Sequence, residues 1–138
     1  MNKYGNKKVS TPDGTFDSKG EWLRWCFLKD QQAKGAISGL RRQVRFSLVP
    51  PVHITKTVQL KTKTKQVERL WTQEVTYTAD FVYTFQDSTV VEDFKGMPND
   101  RWPMKKALMA FVHGIYVREV KRPAEPINAQ DNDKRRTD

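Results

Sequence analysis

The sequence predicts an α/β protein with a mixed central β-sheet flanked by helices. A helical segment with a capping signal comes first, and segments in which apolar and polar residues alternate follow it. A second helical segment then precedes a short last strand, which allows the crossover that a parallel strand pair needs. We expect the order α-β-β-β-β-α-β within a single domain, residues 1–121, followed by a disordered polar tail, residues 122–138.

The first helix has a start signal and a stop signal. Ser18 followed by Glu21 fits the spacing of a capping box, in which side chains satisfy free N–H groups of the first turn. Gly35 offers the left-handed conformation that ends many helices. The helix is therefore predicted over residues 18–34. The preceding residues 1–16 are polar and are expected to lie extended over the surface.

Alternation of apolar and polar residues predicts two strands on either side of Pro50-Pro51. The first strand covers residues 40–49, and the second covers residues 52–60. The basic stretch 60–69 is β-prone but has little to bury. We therefore expect an exposed turn or a flexible arm there.

The second half of the chain is predicted to hold a hairpin, a helix and a last strand. Residues 75–85 give the clearest alternation, residues 86–88 turn the chain, and a strand follows over residues 89–95. A helix that stops at Gly114 precedes a strand over residues 115–120. Four apolar residues of that helix fall on one stripe: Met104, Leu108, Phe111 and Val112.

Acidic residues at the centre of the chain fall on the two hairpin strands. Side chains alternate along a strand, so Asp93 and Lys95 share a face while Glu92 points to the other. A two-residue loop would pair Asp80 with Asp93, and a four-residue loop would pair Asp80 with Lys95. Either loop places all three on one face, whereas a three-residue loop would not. Asp80 is the only charge in its strand, so it needs a partner, a metal ion or a task.

This ordered set of residues resembles the PD-(D/E)xK nuclease superfamily. The set consists of Glu21 on a first helix, Asp80 on one strand and Asp93-Phe94-Lys95 on the next. Four segments are similar to a small phage and prophage family of that superfamily: FDSKGEWLRWCFL, LRRQVRFSLVP, YTADFVY and VVEDFKG. That family is similar in turn to phage endonuclease I and other Holliday-junction resolvases. The resemblance covers about residues 3–120, although Ala79, not Pro, precedes Asp80.

The resemblance implies a restriction-endonuclease-like αβββαβ core and a Mg²⁺-dependent endodeoxyribonuclease, in which Mn²⁺ can replace Mg²⁺. The implied metal ligands are Glu21, Asp80, Asp93 and the main-chain carbonyl of Phe94. Lys95 would orient the metal-bound water or stabilise charge that develops on the phosphate. The implied substrate is branched DNA, such as a Holliday junction. Because symmetrical cleavage of two strands needs two active sites, a homodimer is expected.

The charge of the chain suits a polyanionic partner. The formal charge is +9, and residues 41–69 hold eight Lys or Arg residues but only one acid. The residues expected to hold the DNA backbone are Arg41, Arg42, Arg45, Lys61, Lys63, Lys65, Lys105 and Lys106. No apolar run approaches the roughly 20 residues of a membrane span, and the polar start lacks a signal peptide. A cytoplasmic protein without membrane contact is therefore expected.

Plainer interpretations remain open at this point. Glu21 can act only as part of a helix cap. Asp93 with Lys95 can form an ordinary surface ion pair, and Asp80 can pair with Lys95. The basic stretch 60–69 can serve only to keep the chain soluble. Two functional alternatives also stand: a less selective, restriction-like DNA nuclease, and a non-catalytic DNA-binding module with the same fold.

Overall fold

The computed structural model describes residues 7–94 and 100–127 as an α/β protein built mostly of strands. The elements in chain order are β1 (Val9–Thr11), β2 (Gly14–Phe16), α1 (Lys19–Ala33), β3 (Ser38–Val49), β4 (Val52–Gln59), β5 (Thr64–Thr72), β6 (Val75–Phe85), β7 (Ser88–Phe94), α2 (Trp102–His113) and β8 (Arg118–Val120). The chain forms two compact units. One lies within Met1–Val44 and Ala79–Asp138, and the other is Arg45–Thr78.

A four-stranded sheet with the order β3-β6-β7-β8 forms the centre of the fold. Strands β6 and β7 are antiparallel and are joined by two residues, Gln86 and Asp87, both with positive φ. Such a turn matches the twist of a tight hairpin. Strands β7 and β8 are parallel, with α2 as the crossover between them. The predicted mixed sheet is therefore confirmed.

Helix α1 begins and ends within one residue of its predicted limits. The Ser18 hydroxyl accepts a hydrogen bond from the N–H of Glu21 at 3.1 Å, as a helix cap does. The helix buries Glu21, Arg24 and Leu28. Leu28 belongs to a core cluster that also contains Phe16, Ile37, Phe81, Tyr83, Val90, Phe94 and Val120. Two of the three buried side chains of α1 are thus ionisable. The packing of the helix on the sheet therefore depends on the groups that contact these two side chains.

The N-terminal segment is not simply extended along the surface. Strands β1 and β2 form a small antiparallel hairpin around Pro12 and Asp13. Phe16, at the end of β2, is fully buried in the core, and the guanidinium of Arg42 stacks 3.8 Å from the centre of its ring. Burial of this aromatic ring gives the hairpin a reason to be ordered.

The second unit contains a two-stranded antiparallel ribbon formed by β4 and β5. The expectation of an unpaired turn or flexible arm over residues 60–69 is therefore wrong from Thr64 onward. Backbone pairing with β4 orders this stretch even though most of its side chains are exposed. Alternation on β5 is obscured because polar residues occupy most positions on both faces.

Helix α2 ends at Gly114, which adopts the predicted left-handed conformation with φ of 67°. Its buried residues are Trp102 and Met109, seven positions apart on one face. Met104 and Phe111 of the apolar stripe are instead 67% and 88% exposed. None of the helices in the described ranges is long and apolar enough to cross a membrane.

Residues 122–127, the first part of the polar tail, are held against the core. The guanidinium of Arg24 donates hydrogen bonds to the carbonyl oxygens of Pro123 and Glu125. Arg118 donates to the carbonyl of Pro126, and Ile127 packs on the core cluster. Residues 128–138 lie outside the described residues.

A pair of carboxyl groups as the candidate active site

The β6–β7 hairpin places two of the predicted site residues on one face. Phe81 pairs with Glu92, so the next position outward brings Asp80 opposite Asp93. This register follows from the two-residue turn and is one of the two that the sequence left open. The N–H of Phe94 donates a hydrogen bond to Oδ2 of Asp80 at 2.8 Å, which fixes one oxygen of that carboxylate.

Glu21 reaches Asp80 from the first turn of α1. Its side chain is only 4% exposed, and the Glu21 carboxyl hydrogen-bonds to the carboxylate of Asp80. A second, long hydrogen bond of 3.5 Å comes from the N–H of Asp17. The helix cap uses the main chain of Glu21, through Ser18, whereas the side chain contacts Asp80. Capping and a role in the site therefore coexist in this residue.

Burial gives the two carboxyl groups unusual proton affinities. Burial, followed by the negative charges of Asp80 and Asp17, raises the pKa of Glu21 from 4.5 to about 8. Burial also raises the pKa of Asp80, although the N–H of Phe94 lowers it in part. Glu21 therefore holds a proton at neutral pH and donates it toward Asp80. Among the described residues, no Lys or Arg forms an ion pair with these two carboxyl groups that would let both ionise.

Gln43 on β3 is a further contact of Asp80. Its Nε2 donates to Oδ1 of Asp80 at 3.4 Å. Its φ of 52° lies in the left-handed region that residues other than glycine seldom adopt. Strand periodicity carries no signal for such a conformation, so the sequence could not reveal it.

A second buried cluster lies one helical turn further along α1. Arg24 makes two hydrogen bonds with Glu92, at 2.8 and 2.6 Å, and the Tyr83 hydroxyl donates to the same carboxylate. Arg24 and Glu92 are both fully buried. Glu92 faces away from Asp93, as strand parity predicts. Sequence reasoning missed the pair, although an Arg three residues after Glu21 and four before Leu28 lies on the buried stripe of α1.

The predicted metal-ligand set is only partly assembled. Glu21 and Asp80 are in contact, and Asp93, 5% exposed, lies on the neighbouring strand. Within residues 7–94 and 100–127, no three Asp, Glu, His or Cys side chains converge closely enough to hold a metal ion. Lys95 lies outside the described residues.

Three of the eight predicted DNA-binding cations make contacts within the chain. Arg42 stacks on Phe16 and donates to the carbonyl of Thr15. Arg45 forms an ion pair of 2.6 Å with Glu74. Lys106 forms one of 3.2 Å with Glu119. The remaining five are exposed or half-buried: Arg41, Lys61, Lys63, Lys65 and Lys105.

Comparison with known proteins gives one match. A family described as a protein of unknown function, DUF1064, matches residues 1–122, and the chain belongs to that family. No curated protein and no solved structure is significantly similar to it.

Proposed function

We propose that this protein is a Mg²⁺-dependent endodeoxyribonuclease of the PD-(D/E)xK type that cleaves branched DNA, with four-way junctions as its substrate class. The contact between Glu21 and Asp80 carries the proposal. Within the described part of the chain, neither carboxyl forms an ion pair with a Lys or Arg. The buried carboxyl of Glu21 and the half-buried carboxyl of Asp80 destabilise each other in contact unless a proton or a cation lies between them, which is typical of a functional site.

The donor set fits Mg²⁺. This ion is usually bound by one or two carboxylates and keeps several water molecules, so a pair of carboxyl groups is sufficient protein ligation. Glu21 and Asp80 would hold the ion, and Asp93 and the carbonyl of Phe94 are the further ligands that the resemblance implies. When bound, the ion would supply Lewis-acid polarisation of the scissile phosphate.

The residues around the pair hold it in position. The N–H of Phe94 and the amide of Gln43 each contact one oxygen of Asp80. The buried pair of Arg24 with Glu92 fixes α1 against β7, so that Glu21, one turn earlier, faces Asp80. In this proposal Lys95 stabilises charge on the phosphate in the transition state.

The order of elements supports the proposed nuclease core. Without the β1–β2 hairpin and the β4–β5 ribbon, the remaining order is α1, β3, β6, β7, α2 and β8. This is the αβββαβ order, with the last strand parallel to its neighbour. The proposed ligands then lie on the first helix and on the second and third strands, as the resemblance implies.

A homodimer follows from the proposed reaction. The chain supplies one set of site residues, and symmetrical cleavage of a junction needs two. Exposed apolar side chains on α2, including Phe111, are available to be covered by a second copy. Sedimentation equilibrium tests this directly. A monomer that still cuts both strands of a junction symmetrically would contradict it.

Incubation with a labelled four-way junction and a duplex of matched sequence tests the proposed activity. We expect cleavage of the junction in Mg²⁺ or Mn²⁺ and none in chelator. Equal cleavage of the duplex would instead favour a less selective nuclease. Binding without cleavage in either metal would favour a non-catalytic DNA-binding module.

A further inference from the structure

The β4–β5 ribbon has two chemically different faces. The pairing of Ile54 with Arg69, Lys56 with Val67 and Val58 with Lys65 places these six residues on one face. Within this set each cation lies opposite an aliphatic residue on the other strand. The three aliphatic side chains are half-buried, whereas the three cations are exposed.

The opposite face of the ribbon carries no Lys or Arg. It presents mainly hydroxyl and amide side chains: Thr55, Thr57, Gln59, Thr64 and Gln66. Its only acid is Glu68, which faces Thr55. All of the positive charge of the paired strands therefore lies on one side. We call Lys56, Lys65 and Arg69 the cationic face.

The cations of this face are available to a ligand. Among the described residues, none of the three forms an ion pair. Lys56 is the diagonal neighbour of both Lys65 and Arg69 across the two strands, and such neighbours lie about 7 to 8 Å apart. Phosphates follow one another every 3.4 Å or so along the axis of a DNA strand, so each cation can meet a different phosphate.

We propose that the cationic face of the ribbon is a docking surface for the sugar-phosphate backbone of duplex DNA. A two-stranded ribbon is narrow enough to follow a DNA groove, and a row of unpaired cations complements the charge of the flanking phosphates. The choice of DNA over another polyanion rests on the proposed function. Contact of the cationic face with the backbone does not depend on the base sequence of the DNA or on the Glu21–Asp80 pair.

The distribution of charge favours this role over simple protection of strand edges. Lys residues often keep exposed strands from pairing with other molecules, and that purpose is served by cations on either face. Here the opposite face is the more exposed of the two but carries no Lys or Arg. A surface that binds a polyanion on one side explains the asymmetry, and a solvated ribbon does not.

The test compares two triple variants by fluorescence anisotropy with a labelled duplex in chelator, where no cleavage occurs. The first variant, Lys56→Gln with Lys65→Gln and Arg69→Gln, removes the cationic face. The second, Lys8→Gln with Lys34→Gln and Lys121→Gln, removes the same charge from exposed positions outside the ribbon. We expect at least a tenfold loss of affinity in the first at about 0.15 M salt, and a salt-dependence slope reduced by about 2.7. The second should lose less than threefold and keep its slope.

Three outcomes would overturn the proposal. Equal losses in both variants would show that net charge alone is responsible, and unchanged affinity in the first would show a merely solvated face. Binding to an RNA duplex that is tighter than binding to the DNA duplex, and that is lost when the cationic face is removed, would contradict DNA as the partner. Circular dichroism melts verify that both variants are folded. Because the assay uses no metal ion, an inactive nuclease would leave this result intact, and a failed docking surface would leave the cleavage assay intact.

Discussion

Two carboxylate clusters lie one turn apart on α1. In the first, a carboxylate is paired with an arginine, whereas in the second, two acids contact each other. Glu92 faces the guanidinium of Arg24 and accepts a hydrogen bond from Tyr83. Within the described ranges, Asp80 contacts another acid, Glu21, and accepts hydrogen bonds from the N–H of Phe94 and the amide of Gln43. Both clusters join the same helix to the same hairpin. In the part of the chain that the structure describes, Arg24 forms an ion pair with Glu92, whereas no Lys or Arg forms one with Glu21 or Asp80.

In our proposal this difference separates a structural role of the Arg24–Glu92 cluster from a functional role of the Glu21–Asp80 cluster. A buried ion pair that is fully hydrogen-bonded needs nothing from outside the protein, and removing one partner leaves an uncompensated charge. A pair of acids stores electrostatic strain that a bound cation can relieve. Substitutions in the Arg24–Glu92 cluster should therefore lower stability more than activity. Substitution of Asp80 should lower activity more than stability.

The largest effect is expected for Asp80→Asn. It keeps the size of the side chain and an oxygen for the N–H of Phe94, but removes a carboxylate that we propose as a metal ligand. Junction cleavage should fall at least about a thousandfold, equivalent to roughly 4 kcal/mol of transition-state stabilisation. DNA affinity in chelator should change less than threefold. Asp87→Asn, in the turn of the same hairpin, is the matched control and should keep wild-type turnover.

Arg24→Met should give the largest loss of stability. It removes the two hydrogen bonds of Arg24 to the buried Glu92 and leaves only the more distant guanidinium of Arg118, at 3.9 Å. The free energy of unfolding should therefore fall by about 3 to 5 kcal/mol in urea titrations. The double variant Arg24→Met with Glu92→Leu should recover much of that loss. Lys34→Met removes an exposed ion pair with Asp30 and should cost less than about 1 kcal/mol. A similarly small loss in Arg24→Met would remove the contrast between the clusters.

Glu21→Gln should stabilise the metal-free protein in a pH-dependent manner. The pKa of Glu21 rises from 4.5 to about 8 on folding, so the folded chain retains a proton that the unfolded chain releases in this range. Release of this proton favours the unfolded state, so the free energy of unfolding falls as the pH rises from about 4.5 to about 8. The melting temperature of Glu21→Gln should match the wild type near pH 4.5 and exceed it increasingly toward pH 8.

Glu68→Gln, at an exposed position on β5, removes the same charge and serves as the control for this series. A difference in melting temperature between Glu21→Gln and the wild type that shrinks as the pH rises would contradict a raised pKa of Glu21.

The smallest effect is expected at Gln43. Gln43→Ala loses the hydrogen bond to Asp80 and keeps the left-handed backbone, whereas Gln43→Gly loses the same bond but accommodates that backbone freely. The glycine variant should be more stable by about 1 kcal/mol in urea titrations, and both should cleave several-fold more slowly. Equal stability of the two variants would exclude backbone strain at this residue.

Local signals in the sequence predicted much of the sheet and part of the site. The cap at Ser18 set the start of α1, and parity along β6 and β7 placed Asp80 and Asp93 on one face once the turn length was known. These features depend on neighbours within a few residues. The pair of Arg24 with Glu92 joins residues 68 positions apart, and no local pattern reports such a contact.

Periodicity was misleading where burial did not follow hydrophobicity. Phe111 belongs to a regular apolar stripe, but α2 packs through Trp102 and Met109 on a different face. Strand β5 has almost no apolar alternation and is ordered by pairing with β4. In both cases the segment against which the helix or strand packs or pairs decides which residues are buried or ordered. A single sequence does not contain that information.

Binding of Mn²⁺, counted by electron paramagnetic resonance in the absence of DNA, tests the central claim most directly. The wild-type protein and Asp87→Asn should bind at least one ion per chain, whereas Asp80→Asn should bind none at the same concentration. Undiminished Mn²⁺ binding in Asp80→Asn would contradict the assignment of the Glu21–Asp80 pair as the metal site.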